Sequence, residues 1–325
     1  MNRLILILSL LITGCLQIEA QIVETSKGKV EFIGLEKWTT EMIQQKLAYQ
    51  SPDNFHFCAA DLKSKLGFAD ASVTLDSENG KMYTIITIVE PDRAGQVSYK
   101  PKPIGSVAIP ASWSSLIKLV EERGILNEIL DYGSTLKKSN KTEKPLLEGA
   151  DRTWWKYLQE RRNKEDFQTA LKVLSGDKEY KNRSTAALIL TNFPEKDAAW
   201  SALMDGVRDK DARVNSASLQ ALITMAKYVP RRIDWSQSAS SIRYILNGTN
   251  LSALVHIIKT LLKTKVSQKL ANDLFKEDGG RMLLVYLRAK NEERKSLSQN
   301  LLMHLSGKNF GSDVEEWRNW IKRLE

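Results

Sequence analysis

Catalysis needs a nucleophile, a base or a metal held by converging side chains, and few residues in this chain are typed for any of those roles. The histidines are His56, His256 and His304, and the cysteines are Cys15 and Cys58. His56 lies close to Cys58, but Phe57 and Ala59-Ala60 flank the thiol with apolar residues, so the stretch reads as the start of a buried helix. His256 stands among Leu254, Val255, Ile257 and Ile258, and His304 among Leu302, Met303 and Leu305. Both read as helix positions near a core rather than as bases or metal ligands. The patterns H-E-x-x-H, C-x-x-C, G-x-S-x-G and a Gly-rich phosphate loop do not occur. Gly279-Gly280 reads as a helix junction, and Glu292-Glu293 and Glu315-Glu316 fall in first helical turns, where carboxylates oppose the positive end of the dipole. The expectation is therefore no catalytic residue, no metal and no cofactor.

Charge is the other chemistry on offer. Residues 21–150 carry 16 Lys and Arg against 17 Asp and Glu, whereas residues 151–325 carry 31 against 21, a net of +10. A basic half of this kind suits an acidic partner or an anionic polymer. The candidate binding cations are Arg213, Lys227, Arg231, Arg232, Arg243, Lys259 and Lys263. Simple solubility of a long surface accounts for the same excess.

The chain opens on Arg3 and an apolar run from Leu4 to Ile12 broken only by Ser9. That run is shorter than the roughly 20 residues a bilayer span requires, and reads as an export signal. Ile12-Thr13-Gly14-Cys15 resembles a bacterial lipobox, which implies removal of residues 1–14 and lipidation of Cys15; Ile18-Glu19-Ala20 before Gln21 fits ordinary cleavage after residue 20 instead. Both cuts stay open. Either leaves Cys58 as the one thiol of the body, with no disulfide framework.

Two textures meet at the polar stretch Gly133 to Pro145, which reads as an exposed linker. Before it, Lys29–Leu35 reads as a strand, Thr39 or Thr40 caps a helix through Leu47, and a second helix from about Cys58 to Leu66 closes at Gly67. Ser72–Asp76 and Met82–Glu90 then read as strands joined by a turn at Glu78-Asn79-Gly80. This order, with Gly67-Phe68 leading into the hairpin, resembles the POTRA module of envelope proteins, which implies an open sheet edge for strand addition; a generic small α/β sandwich fits equally. One further helix is expected from Ala111 to Tyr132, interrupted at Gly124. The divisions are a small α/β domain over 21–110, a helix and linker over 111–150, and an all-α domain over 151–325.

After Asp151 apolar residues return every three or four positions, broken by Gly, Asn or Pro every 12 to 18 residues, roughly, as repeated helix pairs require. The most regular unit runs Val207-Arg208-Asp209-Lys210-Asp211-Ala212-Arg213-Val214-Asn215-Ser216-Ala217-Ser218-Leu219-Gln220-Ala221-Leu222. It resembles the turn and second helix of a HEAT repeat. Asp177 with Arg183, Ala186, Ala187 and Leu190 follows the same scheme, and later copies begin at Asn247 and Asn291. The resemblance implies an α-solenoid of about four pairs, with an Arg such as Arg213 reaching the Asp of an adjacent turn; Asn215 stands where the family often has Arg. Trp317 and Trp320, at i and i+3, are expected to cap the last repeat, and Trp154-Trp155 the first.

Three functions are consistent with these readings. The first is an exported, non-catalytic scaffold that binds protein partners in the cell envelope, periplasmic or anchored through Cys15. The second is a binder of lipopolysaccharide or an acidic glycan, with nucleic acid disfavoured by export. The third is a lyase-like enzyme such as the HEAT-like bilin lyases, for which no nucleophile stands out. Mass spectrometry of the mature N terminus separates the two processing routes: a lipid-modified Cys15 or an unmodified Gln21 is expected, and an intact Met1 contradicts export.

Overall fold

The computed structural model describes residues 20–78, 80–123, 157–277 and 279–324. Cys15, the stretch 133–145, Trp154 and Trp155 lie outside the described residues.

The first layer is a four-stranded sheet. Strands β1 (Gln21–Thr25), β2 (Gly28–Ile33), β3 (Asp70–Glu78) and β4 (Lys81–Val89) lie in the order β1-β2-β4-β3, with β2 parallel to β4 and the other pairs antiparallel. The crossover from β2 to β3 carries α1 (Thr40–Lys46), a 3₁₀ turn (Pro52–Phe57) and α2 (Ala59–Leu66). Thr39 caps α1 by accepting from the Met42 amide, and Gly67 ends α2 in the left-handed conformation at φ 71°. Val30, Phe32, Ile86 and Ile88 point to one face of the sheet, where they pack on Ile43, Phe55, Cys58 and Leu62. Strand β1, which the sequence pattern does not reveal, pairs with β2 and becomes one edge of the sheet, with β3 the other.

The opposite face of the sheet meets a helical array. Its pairs are α4 (Lys164–Gly176) with α5 (Tyr180–Leu190), α6 (Asp197–Gly206) with α7 (Ala212–Tyr228), α8 (Ala239–Leu246) with α9 (Leu251–Lys263), and α11 (Arg281–Leu287) with α12 (Glu292–Ser306); the short α10 (Ala271–Phe275) precedes the last pair. Second helices pack on one another in a row, α5 on α7, α7 on α9, α9 on α12. Helix α3 (Ser114–Arg123), expected to stand apart with the linker, instead packs on α5 and begins this row. Helix α13 (Val314–Lys322) closes the far end, with Trp317 stacked edge-on against Phe310 at 4.8 Å and Trp320 against Phe275 at 5.2 Å. An open solenoid end would leave that apolar surface wet, and these rings cover it.

Sheet and array share one core, since Ile33, Ile85 and Val89 belong to the same buried cluster as the array helices. The polar side of the junction is made by carboxylates. The amide groups that begin a helix have no partner within it. Asn250, before α9, sits in the left-handed conformation and gives no side-chain cap. Asp70 of β3 supplies one from across the junction, accepting from the Leu251 amide at 2.9 Å. In the last pair, the buried Glu31 of β2 accepts from the amides of Lys290 at 2.6 Å and Asn291 at 3.1 Å, and from the Tyr83 hydroxyl. Gly248, at φ 117°, lets the third turn approach Val89 so closely that an added Cβ would lie 2.4 Å from a valine methyl.

The segment after the sheet is a strap along the remaining turns. The Ser98 amide donates to the Thr249 hydroxyl at 2.9 Å, the Lys100 amide to the Arg208 carbonyl at 2.7 Å, and the Val107 amide to Asp177 at 2.9 Å. The strap closes with the Trp113 indole donating to the buried Asp166 at 2.6 Å. Residues 98–107 thus lie on the array, although the sequence reading assigned them to the small domain.

Asp70→Ala and Glu31→Ala each strand buried amides, and each is expected to lower the unfolding free energy by about 2–3 kcal/mol. Asp76→Ala, at an exposed strand position, is expected to cost less than about 0.5 kcal/mol. Urea denaturation of the three variants checks this, and equal effects contradict it.

Candidate binding surface

The turns of the array hold its most buried charges. Arg183, on α5, donates from Nε and Nη2 to the two Asp209 oxygens at 2.8 and 3.0 Å, and from Nη1 to the carbonyls of Asp177 and Lys178 at 2.9 and 3.0 Å. Its side chain is wholly buried, so the planar guanidinium must find all its acceptors inside the protein. This one residue ties the first turn to the second. Asn215, at the matching place one repeat later, donates to the Asp209 carbonyl at 3.2 Å and makes no such tie.

Arg213 behaves differently from the expectation. It clips its own turn, donating to Asp211 at 2.9 and 2.7 Å, and its guanidinium carbon lies 3.2 Å from the centre of the Tyr180 ring on the preceding repeat. The link between repeats through Arg213 is therefore stacking. Paired to Asp211 at an exposed site, its charge is held above the usual arginine range, and that of Asp211 below the carboxylate range.

The remaining predicted cations fall into two groups. Arg231 donates to the Pro194 carbonyl at 2.7 Å and pairs with Asp197, which fastens the loop after α7 to the start of α6. Arg243 is buried in α8 with Nη2 3.1 Å from Glu277. Lys259 joins α9 to α12 through Glu293 at 2.6 Å. With Arg213, these four have their charge answered inside the protein. Lys227, Arg232 and Lys263 are exposed near the C-terminal ends of α7 and α9, on the edge opposite the strap, where the Ile233 amide donates to the Thr264 carbonyl at 3.2 Å. The seven residues do not form one patch, because carboxylates pair with four of them, three of these from about 34 residues away in sequence.

What lies open is the outer stripe of the second-helix row. On α7 it carries Ser216, Gln220, Ile223 and Lys227; on α9, Ser252, His256, Lys259 and Lys263; on α12, Glu293, Ser296 and Asn300. His256 thus sits on the solvent stripe rather than near the core, since its four apolar neighbours turn the other way around the helix. The stripe is neutral to basic, and Glu293, its carboxylate, is paired with Lys259.

Two features escaped the sequence. Arg208 is buried between the strap and the array: Nε and Nη2 donate to the Ser98 carbonyl at 2.9 and 2.7 Å, and the guanidinium covers the Tyr244 ring at 4.2 Å. Burial pulls its affinity for the proton below the usual range, with Asp205 opposing. Between its anchors the strap arches over a cavity of about 330 Å³ lined by Pro101, Pro103, Leu171, Leu174 and Ser201, and leaves Ile104 96% exposed beside it. Nothing in the pattern Lys-Pro-Lys-Pro-Ile distinguishes such an arch from an ordinary loop.

Cys58 and His56 lie in the core of the sheet module. Burial pushes the Cys58 thiol up to about 12, away from the thiolate form a nucleophile needs. His56 is buried between the hydroxyls of Thr25 at 2.8 Å and Thr84 at 2.6 Å, and burial holds its imidazole below the usual histidine range. Among the described residues, no three His, Cys, Asp or Glu side chains are grouped to hold a metal ion, and no helix is long and apolar enough to cross a membrane. Compared with known proteins, the chain matches no family model and no curated protein.

Removing one partner of a buried pair leaves the other charge without water or counterion. Arg183→Met is expected to destabilise the protein by about 3–5 kcal/mol, whereas Arg213→Ala, at the exposed clip, is expected to cost about 1 kcal/mol or less. Calorimetric unfolding of the two variants checks the ranking, and the reverse order contradicts the assignment.

Proposed function

We propose that this protein is an exported, non-catalytic scaffold of the cell envelope that grips a protein partner on the outer face of its second-helix row. The observation that carries the reading is the stripe across α7, α9 and α12: exposed or half-exposed, on helices that pack one on the next, and made mostly of Ser, Gln, Asn, His and Lys side chains with Ile223 and Glu293 among them. Repeat arrays of this build offer such rows as extended binding surfaces, because each helix adds one rib to a common face. The HEAT-like turn motif at Val207–Leu222 supports the same reading. With Lys227 and Lys263 exposed at its ends, the face suits a partner whose contacting surface is acidic or neutral and polar.

Internal pairing of Arg213, Arg231, Arg243 and Lys259 favours this reading over an anionic polymer. A polymer site draws its affinity from cations free to release counterions, and these four are paired with carboxylates. Export, with the chain either periplasmic or lipid-anchored through Cys15, belongs to the same proposal and rests on the N-terminal sequence.

A photo-crosslinking amino acid placed at Gln220 or His256, in cells of the native organism, tests it. Both positions are expected to capture the same protein species, and a probe at exposed Lys164 on α4 is expected to capture none. Capture that is equal at all three positions, or absent from the stripe, contradicts the proposal. Retention on a heparin-like anionic resin that decays steeply with salt would favour the polymer instead.

A further inference from the structure

A cleft of about 280 Å³ opens where the sheet module, α11 and the closing helix α13 meet. Its charged lining is Arg93 from the 3₁₀ turn after β4, Arg281 from the start of α11, Arg318 and Lys322 from α13, and the carboxylate Glu36. Glu36 sits between two of these cations: Arg281 donates to it from Nε at 3.1 Å and also from Nη2, and Arg93 from Nη2 at 3.0 Å. Burial works to raise the Glu36 carboxyl, yet the two guanidiniums outweigh it and hold it below the usual range, so it is charged. Arg318 pairs with Glu315, one turn back on its own helix and outside the cleft lining.

The balance in this cleft is unlike that of the pairs elsewhere on the array. Four cations face one carboxylate in the wall, and even with Glu315 counted the cluster keeps an excess of positive charge. One buried donor at the same place, Nε of Arg93, has no hydrogen-bond partner, and Arg93 lines the cleft. Buried donors without acceptors are costly, and gathering like charges is costly too. An anion with several oxygens answers both. The cations come from three walls, the sheet module, α11 and α13, which a tetrahedral oxyanion can meet in different directions and a planar carboxylate cannot. Guanidinium forks match phosphate oxygens in particular.

We propose that this cleft binds a phosphate group, held by Arg93, Arg281, Arg318 and Lys322, with Glu36 fixing the two inner guanidiniums in place. The site is separate from the second-helix stripe and does not depend on the partner proposed there. It stands where module, last repeat and cap adjoin, so an occupant bridges all three.

The test is titration calorimetry of the whole mature protein with inorganic phosphate at constant ionic strength of about 0.15 M, where exposed charges are screened. A second arm uses vesicles of phosphatidylglycerol against phosphatidylcholine. The double variant Arg318→Ala with Lys322→Ala removes the two cations that do not hold Glu36. It is expected to weaken binding at least about tenfold, with its circular dichroism melting curve confirming that it folds. Arg232→Ala with Lys263→Ala removes as much charge from the opposite edge and is expected to leave binding unchanged. Binding of inorganic phosphate with this pattern assigns a small-molecule phosphate; the pattern with phosphatidylglycerol vesicles alone assigns a lipid headgroup. Absence of binding to both probes, or equal weakening in the two double variants, overturns the site.

Discussion

The junction between sheet and array rests on a single demand: amides at the start of a helix must have acceptors, and those of α9 and the last turn are buried under the sheet. Asp70 and Glu31 meet that demand with charged oxygens from strands that are 181 and 259 residues away in sequence. A carboxylate is a stronger acceptor than a carbonyl, and it also faces the positive end of the helix dipole. Each is satisfied in turn by further donors, Asp70 by the Tyr99 hydroxyl at 3.2 Å and Glu31 by the Tyr83 hydroxyl, so neither is left as a lone buried charge. The apolar contact of Ile33, Ile85 and Val89 with the array supplies area, and the carboxylates supply register.

Once the sheet is seated, the rest of the layout follows. The strap leaves β4 already beside the third turn and reaches the second and first through main-chain hydrogen bonds, with Arg208 clasping it from below. This edge of the array is then occupied by the protein's own chain. The helix face of the sheet is closed by α1 and α2, and the β2 edge by β1. Among the described residues, the exposed surface then includes the outer stripe of the second helices, the opposite edge with its lysines, the cleft beside α13 and the outer edges of β1 and β3. The sheet module contributes Glu36 and Arg93 to that cleft.

The local features of this fold were legible from sequence because each is written within one turn of chain. Asp211 accepts from the Arg213 amide as its place before an apolar helical stripe requires. Gly67 and Gly280 take the left-handed conformations expected at a helix end and a helix junction. Trp317 and Trp320, one turn apart, fall on the same buried face. Strand β1 was not legible, since Gln-Ile-Val-Glu-Thr has too few apolar positions to show a period and acquires its structure by pairing with β2. The strap was not legible either, because extended chain without a repeating pattern takes its path from the surface beneath it. The basic residues misled for a related reason. Composition counts charges but not their partners, and Lys259 with Glu293, or Arg231 with Asp197, meet only after 34 residues of intervening chain have folded.

Amide hydrogen exchange at the junction examines the central claim most directly. If the sheet's carboxylates complete the array, the amides of Leu251, Lys290 and Asn291 exchange as slowly as those in the middle of α9, and all are released together as the protein unfolds. Rapid exchange at those three positions, with the middle of α9 still protected, would show sheet and array to be separable bodies and would contradict this account of the fold.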